Sequence, residues 1–225
     1  MCIYVTVDKG VLCMNIIRKN YSKDYFGDSL KIKFDSDRNN KRLREVITRK
    51  SGGRLIEIGC GRGSFVKLAG RYFDVEGLDV SEYAVDCARN YTGRKIRLSD
   101  IQKDPLDKKS YDVVAAFNVL EHLDETEKVV EKIHGSLKNK GFLIGSVPNN
   151  YGIIGGINTK LTNYFDRTHK FTPSPKSWFK ILKKAGFKKI KFFGEITFTK
   201  NNAMYLKSNL WKYLSFNLIF ICSKI

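Results

Sequence analysis

Leu55-Ile-Glu-Ile-Gly-Cys-Gly-Arg-Gly-Ser-Phe65 decides how the rest of the chain is read. A short apolar run meets three glycines at alternate positions, Gly59, Gly61 and Gly63, and a helical pattern begins directly behind them. Glycine admits positive φ and has no Cβ to hold a ligand away from the backbone. The amides of a turn that opens a helix meet polar or anionic groups readily. Glu57 is the unusual letter, because a parallel strand buried on both faces is normally apolar throughout. A carboxylate there is expected at the carboxyl rim of the sheet, where α/β proteins place their ligands.

Downstream, the periodicity alternates as βαβα. Strands are expected over 54–58, 74–78, 95–98, 111–117 and 142–147, with helices over 65–72, 81–91 and 124–137 between them. Ser81 reads as an N-cap and residues 139–141 as a turn. Such alternation predicts a parallel sheet covered on both faces. Upstream, a basic helix is expected over 39–49, stopped by Ser51-Gly-Gly53. Behind Pro148 the character changes to an irregular, polar segment over 148–172 ending in Asp166-Arg-Thr-His169, and long irregular segments at a strand's carboxyl end are commonly functional. Beyond it a helix is expected over 174–185 with Gly186 as its C-cap, strands over 187–193 and 215–222, and a short amphipathic helix over 204–214 between them.

A chain of 225 residues with 42% hydrophobic content fits one domain with a sizeable core. Residues 1–37 read as an N-terminal extension, with Met14 offering an alternative start. No apolar run approaches the roughly 20 residues of a membrane span. Five scattered cysteines, Cys2, Cys13, Cys60, Cys87 and Cys222, have neither disulfide nor metal-ligand spacing and indicate a reducing, cytoplasmic setting. The chain carries 41 basic and 23 acidic residues, a formal charge of +18. From Lys170 onward there are twelve lysines and one acid, Glu195. That excess favours anionic partners, and lysine in place of arginine favours diffuse attraction over bidentate phosphate recognition.

Asp79 ends the second strand about twenty residues behind the glycines, where a carboxylate accepts from both hydroxyls of a ribose. A nicotinamide dinucleotide and S-adenosylmethionine fit that feature equally. Glu57 before the glycines, Asp100 in Ser99-Asp-Ile101, and Tyr111-Asp-Val-Val-Ala-Ala-Phe-Asn-Val-Leu-Glu-His122 tip the balance. With these in order, residues 40–225 resemble the class I S-adenosylmethionine-dependent methyltransferases. The resemblance implies an α/β, doubly wound, mostly parallel seven-stranded sheet whose last strand is antiparallel. It implies a cofactor-binding half over 38–147 and an acceptor-side half over 148–225 of one methyltransferase domain.

The resemblance also assigns the pocket. Glu57, Gly59, Cys60, Gly61 and Gly63 would line the methionine portion, Asp79 and Val80 the ribose, Asp100 and Ile101 the adenine, and Asn118 the sulfonium. A sulfonium methyl needs no metal activation, so the protein aligns the nucleophile, and a hydroxyl acceptor needs a base. Of the three histidines, His169 is the preferred base and His122 the other candidate, whereas His134 lies inside a helix.

Glu121-His122 with His169 also resembles the metal-binding arrangement of methyltransferases that modify the 2′-hydroxyl at small-RNA 3′ ends. Asn118 replaces one of their two glutamates, so no metal site is assigned. A strand ending in Glu-His resembles ubiquinone-pathway O-methyltransferases equally well, and Pro148-Asn-Asn followed by Asp166-Arg-Thr-His169 resembles methyltransferases of sugars and cell-surface glycans. The resemblance is best met by an O-methyltransferase of a small molecule, glycan or nucleotide-sugar, with an anionic acceptor favoured. RNA 2′-O-methylation through Glu121, His122 and His169 is the first alternative, and a non-catalytic methyltransferase-like binding subunit the second. The stretch 205–214 is aromatic and lysine-bearing and offers a peripheral contact with a membrane interface, without a span.

Overall fold

A computed structural model describes residues 36–149, 173–197, 203–208 and 214–225. Helix α1, Asp37–Ile47, opens at Ser36, whose hydroxyl accepts from the Asn39 amide at 3.2 Å. The alternation then runs β1 (Arg54–Ile58), α2 (Ser64–Ala69), β2 (Asp74–Asp79), α3 (Glu82–Thr92), β3 (Lys95–Leu98) and β4 (Tyr111–Phe117). After a 3-10 turn, Leu120–His122, come α4 (Thr126–Ser136), β5 (Leu137–Pro148), α5 (Pro175–Lys184), β6 (Lys188–Thr197), β7 (Ala203–Leu206) and β8 (Asn217–Ser223). The Ser81 hydroxyl caps α3 by accepting from the Ala84 amide, as expected, and Gly93 ends that helix at φ 64°. Ser174 caps α5, and Pro175 occupies its first turn, where a missing N–H costs nothing.

The sheet runs β3-β2-β1-β4-β5-β8-β6-β7. The first five strands are parallel, β8 runs antiparallel to both β5 and β6, and β7 runs antiparallel to β6. Strand order reverses between β1 and β4, so the crevice at their carboxyl ends is the switch point where such sheets bind ligands. Helices α1, α2 and α3 cover one face through Leu43, Val46, Phe65, Val66 and Val85. Helices α4 and α5 cover the other through Val129, Ile133, Trp178 and Leu182. Among the described residues, no helix is long and apolar enough to cross a membrane.

The α/β doubly wound class is as expected, with three corrections. Among the described residues the sheet has eight strands, not seven. The extra one is β7, which occupies part of the stretch read as a helix over 204–214. Its alternation is two-fold: Ala203 is buried, Met204 is exposed, and Tyr205 packs on Phe193 with ring centroids 5.1 Å apart. Four residues with one exposed apolar side chain satisfy a helical or an extended pattern equally, and the open edge of β6 decides for the strand. Residues 139–141, read as a turn, fall within the irregular start of β5, where Lys140 has φ 62° and the pairing with β4 shifts register.

Gly145 of β5 faces Phe220 of β8 across the antiparallel pair. A Cβ at Gly145 would lie 2.7 and 2.9 Å from ring carbons of Phe220. That ring is stacked against Trp178, with centroids 6.0 Å apart, and has little room to yield. Gly145→Ala is therefore expected to destabilise the fold by roughly 1–3 kcal/mol, read as a lower urea midpoint at unchanged slope.

Candidate active site

The glycine turn is held by the strand beside it. The Cys60 amide donates to the Leu78 carbonyl at 3.0 Å, and the Gly63 amide donates to the Cys60 carbonyl at 3.0 Å. Gly59, Gly61 and Gly63 have φ of 65°, 51° and 82°, a region that side-chain-bearing residues rarely enter. Two of the glycines also have a packing reason that spacing does not reveal. A Cβ at Gly59 would overlap the Val119 side chain, and one at Gly63 would lie 2.7 Å from the Thr92 methyl. The turn is thus pressed between the β4 exit and α3. Cys60 is buried, and burial pushes its thiol well above the usual range, so it lines the turn without acting as a nucleophile.

Asp79 joins the turn to the next helix. Its Oδ2 accepts from the Gly61 amide at 2.8 Å and its Oδ1 from the Ser81 amide at 2.9 Å. Burial still raises its pKa, against the lowering effect of the amides of Ser81, Gly61 and Val80. Each oxygen keeps a lone pair for a hydroxyl donor, as a ribose diol requires. Val80 follows at the rim, partly exposed.

Asp100 lies behind β3. Its Oδ1 accepts from the Gln102 amide at 3.0 Å, while its buried Oδ2 has no hydrogen-bond partner among the described residues. Its turn is braced from several sides. Gln102 Oε1 accepts from the amides of Asp124 and Glu125, and Lys132 Nζ donates to the carbonyls of Ile101 and Asp104 at 2.6 and 2.8 Å. The Ile101 side chain is buried against the core.

In β1, Glu57 is 5% exposed, and its Oε2 likewise has no hydrogen-bond partner among the described residues. Burial drives its pKa up to about 8; Arg42 pulls it down and Asp79 pushes it further up. Asn118, at φ 56°, donates its amide to the Ser146 carbonyl, and its Oδ1 accepts from Ser146 Oγ at 2.8 Å. Arg38 and Arg42 each place an Nη2 atom 3.4 Å from that same oxygen. The Arg42 guanidinium lies 4.2 Å from the centroid of the Phe117 ring, and burial lowers its pKa to about 10. Both arginines belong to α1; Arg42 lies in the stretch over 39–49 read only as basic from its sequence, and Arg38 lies one residue before it. They escaped that reading because their partners, Asn118, Ser146 and Glu195, are remote along the chain.

Glu121 is fully buried, and His122 Nε2 stands 4.0 Å from its Oε1. His169 lies outside the described residues. Among those described, no three His, Cys, Asp or Glu side chains form a group suited to a metal ion. The cofactor implied by the resemblance fits the residues present. Two buried, unsatisfied carboxylate oxygens, on Glu57 and Asp100, suit the amino groups at either end of the ligand, with the Asp79 carboxylate between them.

A family model described as "Methyltransferase domain" matches residues 34–191. An uncharacterized protein of Methanocaldococcus jannaschii is 29% identical over 138 residues, 58% of this chain and 53% of that protein. A ubiquinone biosynthesis O-methyltransferase of Coxiella burnetii is 27% identical over 115 residues, 48% of this chain and 49% of that protein. The matched stretch spans about half the length of these curated relatives. Among solved structures, a S-adenosylmethionine-dependent methyltransferase of Thermotoga maritima, titled a possible histamine N-methyltransferase, aligns with a TM-score of 0.66. It is 18% identical, and the alignment covers 83% of this chain and 96% of that one.

The raised pKa of Glu57 has a measurable consequence in the ligand-free protein. Between about pH 4.5 and pH 8 the folded state holds a proton there that the unfolded state has lost, so this group's contribution to stability falls as pH rises and levels off above 8. The stability difference between wild type and Glu57→Gln should therefore decline across that window, by at most about 1.4 kcal/mol per pH unit. Urea titrations of both proteins from pH 4 to 9 check this, and a flat difference would contradict it.

Proposed function

The chain belongs to the class I S-adenosylmethionine-dependent methyltransferase-domain family, and from that premise we propose that it methylates an oxygen of a small molecule, glycan or nucleotide-sugar. The observation that carries the reading is the row of buried carboxylates along one rim: Glu57, Asp79 and Asp100 on successive parallel strands or the turns behind them. The choice of an oxygen acceptor draws on the likeness to the Coxiella burnetii O-methyltransferase and on the Glu121-His122 ending of the β4 exit.

In this reading the cofactor supplies an electrophilic methyl on a sulfonium. Asp79 accepts from the ribose hydroxyls and Asp100 from the adenine amino group, with Ile101 beside it. The amino-acid end is zwitterionic: Glu57 takes its ammonium and the Arg38–Arg42 pair its carboxylate. Ion pairs of this kind are strong where the groups are shielded from water. Asn118 is fixed beside them by Ser146. His169, or else His122, accepts the proton of the acceptor hydroxyl.

The RNA alternative draws support from the +18 charge and from the proximity of Glu121 and His122. It is weakened at Asn118, whose side-chain oxygen is already engaged by Ser146 and two arginines.

Transfer of labelled methyl into RNA, glycan and small-molecule pools, with and without chelator, separates the two readings. Chelator-insensitive labelling of the small-molecule or glycan pool is expected, and chelator-sensitive labelling of RNA would replace this reading with the alternative. His169→Ala is expected to lower kcat by roughly a hundredfold while leaving the cofactor Kd within about twofold. Equal losses in both would remove the base assignment. Asp79→Ala should raise the cofactor Kd first.

A further inference from the structure

Glu195 is the single acid among residues 170–225, and it is fully buried at the carboxyl end of β6. Its Oε1 accepts from Arg38 Nε at 2.8 Å and from Asn217 Nδ2 at 3.0 Å, and its Oε2 stands 3.9 Å from Arg42 Nε. Asn217 is its neighbour across the β6–β8 ladder and Tyr205 its neighbour across the β6–β7 ladder. The carboxylate is therefore fixed by the sheet, whereas both guanidiniums come from α1.

Among the described residues, two guanidiniums meet one ionised carboxylate here; Arg42 also feels Glu57, but burial carries that group's pKa to about 8, so the cluster keeps a net positive charge. That charge is directed, since both arginines place an Nη2 atom 3.4 Å from Asn118 Oδ1. A buried ion pair or triad is commonly no better for the fold than apolar residues of the same volume, so stability alone is a weak reason for this one. Here the second arginine is seated on Phe117 and reaches Ser146 Oγ at 3.2 Å, toward the crevice. Glu195 also keeps its charge despite burial, because Arg42 and Arg38 hold its pKa below the usual value.

We infer that Glu195 is a positioning residue for the amino-acid end of the cofactor, anchoring Arg38 and Arg42 so that their surplus charge meets the ligand's carboxylate. This rests on the role proposed above for the two arginines. It adds that the acceptor-side strands, through one residue remote from the glycine turn, set the affinity of the cofactor-binding half. The Glu195 carboxylate acts through the arginines and touches no ligand itself.

The test compares two ligands by calorimetry. S-adenosylhomocysteine carries the amino-acid end; 5′-methylthioadenosine keeps the nucleoside and sulfur and lacks it. Wild type is expected to bind the first much more tightly. Glu195→Gln is expected to weaken S-adenosylhomocysteine by roughly tenfold and to leave 5′-methylthioadenosine within about twofold. Parallel losses for both ligands would make Glu195 merely structural and overturn the inference, as would an unchanged S-adenosylhomocysteine affinity. A wild type that fails to discriminate the ligands would overturn the arginine assignment and this inference together. A discriminating wild type with an equally discriminating Glu195→Gln would overturn this inference alone. Should Glu195→Gln not fold, Asn217→Ala decides by the same ratio, with a selective loss of roughly threefold expected and a ratio equal to wild type overturning the inference.

Discussion

The Asp79 carboxylate is the constraint on which the site depends. One buried group takes the amides of Gly61 and Ser81, and so ties the glycine turn behind β1 to the start of α3 behind β2. The left-handed conformations of Gly59, Gly61 and Gly63 hold only while something outside the turn over-determines them. Asp79 does so from one side, and Val119, Thr92 and Ala88 do so from the others by filling the space that Cβ atoms would occupy. Because Asp79 is also the proposed ribose acceptor, one group would both shape the loop and read the ligand. Pre-organisation of this kind lowers the ordering cost of binding.

The parallel half of the fold was legible because short apolar stretches such as residues 113–117 recur in alternation with helical patterns, and because Ser81 caps its helix within three residues. Asp79 and Asp100 were legible because a strand end followed by a carboxylate is a local pattern. The antiparallel half was less so. Tyr205 and Ala203 face the core from an edge strand too short to impose a two-fold period against a helical one. The Arg42–Glu195 contact was illegible for a different reason. The composition flags Glu195 as the lone acid of the tail, but its partner sits on the first helix and meets it only once β6 and β8 have been laid beside β5. Packing reasons for Gly59 and Gly63 were hidden in the same way, since nothing near them in sequence names Val119 or Thr92.

The lysine excess is the feature whose meaning changes most in three dimensions. Several of the tail's lysines already have local work. Lys184 pairs with Glu127 at 2.6 Å, Lys207 with Glu45 at 2.6 Å, and Lys224 donates to the carbonyls of His134 and Leu137 at 2.9 and 2.7 Å. These contacts knit α4, α5, α1 and the last strand together. Exposed pairs of this sort contribute little individually, with a median of about 0–1 kcal/mol. Such pairing removes equal positive and negative charge and leaves the net +18 unchanged, so the case for an anionic partner rests on where the cations without an acidic neighbour stand.

Electrostatics in the crevice divides cleanly. Glu57, Asp79 and Asp100 line the side formed by β1, β2 and β3, whereas Arg38 and Arg42 stand beyond Asn118 against Glu195, with Glu57 also within the field of Arg42. Without a ligand the acidic side is under strain: burial raises the pKa of Asp79 and carries that of Glu57 to about 8. The basic side is relaxed by comparison, since Arg42 is lowered only to about 10 and Glu195 stays ionised. In the proposed mode of binding, a dipolar, net-positive ligand would relieve the acidic side by supplying the cation that desolvation denied it, and its carboxylate would meet the guanidiniums. Two like-charged arginines packed side by side, and three carboxylates along one rim, are each costly alone. Their arrangement becomes intelligible as the imprint of a molecule that carries both signs of charge, a few ångströms apart, at one of its ends.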